Sequence, residues 1–247
     1  MPDLPRFCIF GDSHYACLRQ AEAEGLADLS GVELEYWGHV GSGFRFLQVR
    51  DGAVHPGDDK VARSFARFNA KRRMVLPAAD FDAILVMGAR VYVWRLFISV
   101  LRALESGPFL SQGLMRRMLV DGFRCQVGYQ VTAGLAATGT ARIFLAPVAY
   151  YTENPAVLAE LVTPGMQRLI PERVPEFWRI LQEAAAEDGI DLVPQPDETV
   201  TQGIFTGAEY AVADHLAKAD YEHRNARYGA VILSRVMPVA RSLARRG

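Results

Sequence analysis

Five short apolar runs, each separated from the next by longer stretches of helical periodicity, constrain this chain most. They lie at residues 7–10, 32–37, 83–87, 143–146 and 191–193. Strands that alternate with helices form a parallel sheet, because each crossover carries the chain back through a covering helix. The expected fold class is therefore α/β: a three-layer α/β/α sandwich around a mainly parallel, five-stranded sheet. In such sheets the loops leaving the strands' C-terminal ends gather at one edge, where ligands bind. The residues just after each run thus matter more than the run itself. Gly11-Asp12-Ser13 comes after the first, Gly38-His39-Val40-Gly41-Ser42-Gly43 after the second, and Gly88-Ala89-Arg90 after the third. Pro147, with Tyr150 and Tyr151, comes after the fourth.

Helices are expected over residues 13–26, 91–104, 112–136, 172–187 and 228–243. Met115 and Met118, with the leucines around them, read as a core stripe. Residues 44–76 are of mixed character, with His55-Pro56-Gly57-Asp58-Asp59 reading as an exposed turn. That stretch and residues 91–140 are expected to be insertions in one domain spanning 1–247, since a half-apolar chain of this length builds a substantial core.

Charge and spacing exclude several function classes. A net charge of −1 gives no global attraction to nucleic acid or an anionic membrane. Lys71-Arg72-Arg73 and Arg241, Arg245 and Arg246 read as solvated faces. Cys8, Cys17 and Cys125 make no disulfide framework, and the first two read as small buried hydrophobes. The five histidines lack the spacing of zinc ligands, and no phosphate-loop or dinucleotide fingerprint is present. No metal, cofactor or nucleic acid is expected. The first residues run into a strand without an apolar leader, and the 91–104 run carries Arg95 and Arg102 and is too short to span a bilayer. A soluble cytoplasmic protein is the expectation.

The chemistry sits at two ends of the chain. Serine is a poor nucleophile until a nearby base takes its proton. Ser13 is well placed for activation: Gly11 permits a tight exit from the strand, and a helix starting near Ser13 directs unpaired N–H groups toward a reacting oxygen. The bland reading is a helix cap by Asp12 or Ser13. Far along the chain, Asp220-Tyr221-Glu222-His223 precedes the last helix. An Asp three residues before a His can fold back onto the imidazole Nδ1–H, leaving Nε2 for a nucleophile.

The Gly11-Asp12-Ser13 opening, paired with the later Asp220-x-x-His223, resembles the GDSL/SGNH hydrolase family, through a few short blocks spread over nearly the whole chain. The resemblance implies a flavodoxin-like sheet and ester hydrolysis by Ser13, His223 and Asp220. It also implies an oxyanion hole built from the Ser13 N–H, a glycine N–H after the second strand, and an Asn side chain after the third. Gly41 matches the glycine, with Gly38 and Gly43 as alternatives, though all three also suit a tight loop. The third block departs, since Arg90 stands where the family has Asn. Arg90 is then a longer, charged oxyanion donor, a reader of substrate charge, or a structural partner of an acid such as Asp12.

Asp12, His14, His39, Arg90 and Tyr150 are the candidate substrate-binding residues, with Trp37, Arg45, Tyr92 and Tyr151 around them. The expected activity is a serine esterase or deacylase on a small-molecule or carbohydrate ester, of the O-acetyl or short-acyl kind. An anionic substrate is implied if Arg90 reads charge. Acyl transfer on the same triad, or a non-catalytic carbohydrate- or anion-binding module, are the alternatives.

Overall fold

The computed structural model describes residues 4–38, 41–107 and 110–243. At its centre are β1 (Arg6–Gly11), β2 (Glu33–Gly38), β3 (Ala83–Gly88), β4 (Arg142–Pro147) and β5 (Ile190–Leu192). They form one parallel sheet in the order β2-β1-β3-β4-β5. Each matches an expected apolar run to within about two residues. The winding reverses between β1 and β3, so the crevice outside their C-terminal ends is the natural place for a ligand.

Eight helices are described: α1 (Ala16–Ala23), α2 (Asp59–Phe68), α3 (Val93–Ser106), α4 (Gln112–Arg124), α5 (Val127–Ala136), α6 (Pro155–Leu161), α7 (Pro164–Glu187) and α8 (Ala226–Ser242). Successive strand residues point to opposite faces. Phe7, Ile9, Leu85, Met87 and Phe144 pack against buried residues of α1 and α8. Cys8, Phe10, Ile84, Val86, Ile143 and Leu145 meet buried residues from α2 to α5 and α7. Both faces are covered, which is why the central strands read as unbroken apolar runs. Cys8 and Cys17 are buried and Cys125 is exposed. Among the described residues, no helix is long and apolar enough to cross a membrane.

Several expected elements differ. The 112–136 helix is two helices, because Gln126 is extended (φ −72°, ψ 133°) and starts α5. Its side-chain Oε1 accepts the Tyr92 N–H at 2.6 Å, so the break serves to hold the chain leaving β3. α7 begins at Pro164, eight residues before the expected start, with Thr163 as its cap. Pro171 and Pro175 inside it broke the helical pattern that periodicity reads. Residues 44–76 hold a small antiparallel meander (Gln48–Arg50, Ala53–His55 and Leu76–Pro77) together with α2. His55 ends a strand and Asp58 caps α2, so the expected exposed turn is a strand-to-helix link. Arg73 does not form a solvated face with its neighbours. It pairs with Asp80 and Glu35 and lies over the Trp37 ring, 5.3 Å from its centroid. Arg245 and Arg246 lie outside the described residues.

Candidate active site

The nucleophile turn begins where β1 runs out of room. A Cβ on Gly11 would sit 2.2 Å from the Met87 carbonyl oxygen of β3, so glycine alone fits there. Asp12 is extended, and Ser13–Tyr15 form one 3₁₀ turn before α1. The expected helix therefore starts with a tighter turn, whose His14 N–H is already taken by Asp12 Oδ1 at 3.2 Å. Asp12 Oδ2 accepts the Arg90 N–H at 3.1 Å. One buried carboxylate thus ties the exits of β1 and β3 together. Asp12, 3% exposed, is occupied by these two N–H groups and is not a substrate contact.

The β3 exit is held in an unusual conformation. Gly88, Ala89 and Arg90 are all left-handed, with φ of +72°, +51° and +58°. For Ala89 and Arg90 that costs on the order of 1 kcal/mol or more each, a strain sustained by the Asp12 contact and the Val91 N–H to Gly88 O bond of 2.9 Å. A side chain on Gly88 would meet Asp12 Oδ1 and His14 Cβ at 2.6 Å. Gly88→Ala is accordingly expected to destabilise the fold by about 2 kcal/mol or more, read as a lower urea midpoint. An unchanged midpoint would show that the turn relaxes freely.

The second half of the site comes from the segment before α8. Asn225 caps α8, its Oδ1 accepting the N–H groups of Arg227 and Tyr228. Just upstream, the Asp220 carboxylate accepts from the main-chain N–H of His223 at 3.1 Å and of Glu222 at 3.3 Å. Its two oxygens lie 2.9 and 3.0 Å from His223 Nδ1. His223 Nε2 is 2.9 Å from Ser13 Oγ, across 210 residues of sequence. Burial pushes the Asp220 carboxyl up, but hydrogen bonds from His223 and Glu222 outweigh it and leave it below its ordinary value. Asp220 is therefore ionised at neutral pH, a fixed negative charge behind the imidazole.

Arg224 is the member of this site that sequence reasoning missed. It is 4% exposed and has no carboxylate partner among the described residues. Its guanidinium instead donates to the main-chain carbonyls of Tyr150, Tyr221 and His223 and to Thr152 Oγ1. Burial pushes it down to about 10, so it is a cation at neutral pH. It pins the His223 segment to the chain leaving β4. Position beside a candidate catalytic His was its only sequence signal. Glu222 and Arg95, also missed, join two expected aromatics: Glu222 accepts from Tyr151 Oη and Arg95, and Arg95 lies over Tyr92, 4.3 Å from its centroid.

The remaining expected site residues divide. Tyr150 is 1% exposed, and its Oη accepts from Trp178 Nε1 at 2.6 Å, so it is core rather than a substrate contact. His14 is 6% exposed and stacks on His223, with centroids 5.0 Å apart and planes 18° apart. It lies against the imidazole and lines the same opening. Trp37 is fully buried, whereas Tyr92 and Tyr151 are partly exposed and Arg45 is exposed. Gly38 packs against the Tyr15 ring, where no Cβ fits. Gly41 opens a short 3₁₀ stretch, Gly41–Phe46, and His39 lies outside the described residues. Arg90 uses its main-chain N–H, not its guanidinium, to reach Asp12, which alters the expected structural pairing. The guanidinium lies 5.8 Å from the Tyr92 centroid and makes no ion pair among the described residues.

An opening of about 450 Å³ is lined by Ser13, His14, Gln20, Val212, Lys218 and His223, among others. A roomier cleft of about 740 Å³ lies at the β5 edge, lined by Tyr150, Pro175, Trp178, Leu192, Pro194 and Arg235 among others, and touches none of Ser13, Asp220 or His223. Chemistry, not size, marks the first as the candidate site. Among the described residues, no group of three or more His, Cys, Asp or Glu side chains is arranged to hold a metal ion.

No protein-family model matches the chain, and no curated protein sequence matches it. Solved structures do resemble it. An extracellular lipase from Streptomyces rimosus aligns over 94% of this chain and 99% of its own, at 11% identity and a TM-score of 0.48. A GDSL-like lipase from Bacteroides thetaiotaomicron aligns over 96% and 87%, at 14% identity and a TM-score of 0.42. The periplasmic domain of a lipopolysaccharide acetyltransferase from Salmonella ser. Paratyphi A aligns over 97% and 84%, at 10% identity and a TM-score of 0.41.

Proposed function

We propose that this chain is a cofactor-independent serine ester hydrolase of the GDSL/SGNH kind, acting on a short-acyl or O-acetyl ester of a small molecule or carbohydrate. The observation that carries the reading is the continuous contact from Ser13 Oγ to His223 Nε2 at 2.9 Å and from His223 Nδ1 to Asp220 at 2.9 Å. A nucleophile, a base and an orienter in hydrogen-bond contact are what acyl transfer to serine requires.

In this mechanism Ser13 Oγ attacks the acyl carbonyl as His223 Nε2 takes its proton. Asp220 holds the ring and faces the positive charge that forms. The tetrahedral oxyanion is received by the Ser13 and Gly41 N–H groups and the Arg90 guanidinium. Collapse expels the alcohol, which His223 protonates. His223 then deprotonates a water, which releases the acid and restores Ser13. The Arg90 guanidinium, which makes no ion pair among the described residues, also suits an anionic group on the substrate. The His223 side chain is 38% exposed, which leaves water free to reach it for the second step.

The test is covalent. A fluorophosphonate probe is expected to label wild-type protein at Ser13, and p-nitrophenyl acetate to release p-nitrophenol at a rate lost in Ser13→Ala. Wild-type protein that binds sugars or anions but resists the probe would mean a binding module. Products that appear only when an acceptor alcohol is added would mean a transferase.

A further inference from the structure

His14 sits next to the nucleophile in the chain, yet it has no place in the proton path from Ser13 to Asp220. Its ring is buried and lies nearly parallel to that of His223, with centroids 5.0 Å apart. The turn leaving β3 closes on its root, since a Cβ on Gly88 would sit 2.6 Å from His14 Cβ and 2.9 Å from Cδ2. Asp12 binds the His14 N–H with one oxygen and the Arg90 N–H with the other, so His14 and this turn form one unit. The Cys17 thiol adds a contact to the His14 carbonyl at 3.2 Å. A ring held this way has little freedom to move.

His223 needs such a support. Its hydrogen bonds to Ser13 and Asp220 lie near the plane of its ring and set where the nitrogens point. They offer weak resistance to tilting out of that plane, whereas contact with a flat face opposes it directly. When His223 takes the Ser13 proton it becomes a cation. An aromatic face attracts a cation, while a second charged imidazole repels it.

We propose that His14 is a positioning residue, a neutral plate that sets the tilt of His223 and faces the imidazolium formed during turnover. The inference rests on the serine-hydrolase reading. Charged groups face this pair from three sides. Asp12 comes from the β1 exit, Asp220, Glu222 and Arg224 from the segment before α8, and Lys218 lines the same opening. Burial pulls the His14 pKa down, His223 and Arg224 add to this, and Asp12 and Glu222 oppose it. The net lowering keeps the plate uncharged at neutral pH.

The test compares His14→Phe, which keeps a flat face, with His14→Leu, which fills space without one. His14→Met serves as the second non-aromatic variant should leucine disrupt packing. On p-nitrophenyl acetate, leucine is expected to lower kcat by about 10- to 100-fold with KM within about twofold. It should also move the acid limb of the kcat/KM profile to lower pH, by roughly half a unit to one unit, as the cation loses its aromatic neighbour. Phenylalanine should restore most of kcat and return the limb near its wild-type position. An NMR titration of ¹⁵N-labelled histidine rings needs no substrate and should show the same displacement at His223. Wild-type kcat and an unmoved limb in the non-aromatic variants would overturn the proposal. So would equal losses in phenylalanine and leucine. Protein that turns over no ester and resists the fluorophosphonate defeats the hydrolase reading instead, while the ring titration still decides the role of His14.

Discussion

Alanine in place of His223 is expected to lower kcat on p-nitrophenyl acetate by about four to six orders of magnitude, with only a small change in the urea midpoint. Ser13 Oγ has His223 Nε2 as its hydrogen-bond partner, and no hydrogen bond joins it to His14. Without that base the hydroxyl must lose its proton to water, and the departing alcohol has no proton donor. Residual rate would come from the oxyanion donors and substrate binding alone. Stability changes little because the His223 side chain is partly solvated, so its bonds to Ser13 and Asp220 are worth about 1 kcal/mol net. The effect should exceed that of Asp220→Asn, which leaves a base in place with a poorly held tautomer. A His223→Ala protein within tenfold of wild type would remove this residue from the chemistry, and with it the mechanism.

Arg224→Met should cost about 1–2 kcal/mol of stability in chemical denaturation and reduce turnover with it. The sum runs in both directions. The cation is desolvated and its Nε has no partner among the described residues, so removing it relieves an unfavourable term. Against that, the His223 carbonyl loses its donor. The Tyr150 carbonyl loses one of two donors and keeps Thr206 Oγ1, and the Tyr221 carbonyl loses one of three and keeps the Thr152 N–H and Oγ1. A buried acceptor left bare costs about 1–3 kcal/mol, which outweighs the relief. Arg224→Lys should recover little, because one ammonium cannot reach four acceptors spread around a planar guanidinium. Equal stability of the methionine variant and wild type would show that the chain leaving β4 and the His223 segment hold together unaided.

The central strands β1, β3 and β4 were legible because both faces are covered, which leaves them as short apolar runs, whereas the edge strands β2 and β5 carry Glu33, Glu35 and Asp191 and are less buried. Ser13, Asp220 and His223 were legible for a local reason. A serine at a strand exit and an Asp-x-x-His before a helix each declare themselves within a few residues, and the structure brings them into contact. The features that escaped depend on partners far away in sequence. Tyr150 reads as a loop aromatic, and only its contacts with Trp178 and Arg224 make it core. Asp12 and His14 read as substrate contacts until the β3 exit closes over them. The break at Gln126 is invisible to periodicity because its cause is the Tyr92 N–H, 34 residues upstream. For Arg90, the side chain drew attention, whereas the link to Asp12 runs through its main chain.

That main-chain link has a consequence for how position 90 can change. At φ +58° the backbone there welcomes glycine or asparagine and disfavours most other residues. Asparagine would suit this geometry, and arginine does not. Arginine therefore holds position 90 at a conformational cost on the order of 1 kcal/mol, which glycine or asparagine there would lower while the Asp12 link, made by the main chain, could persist.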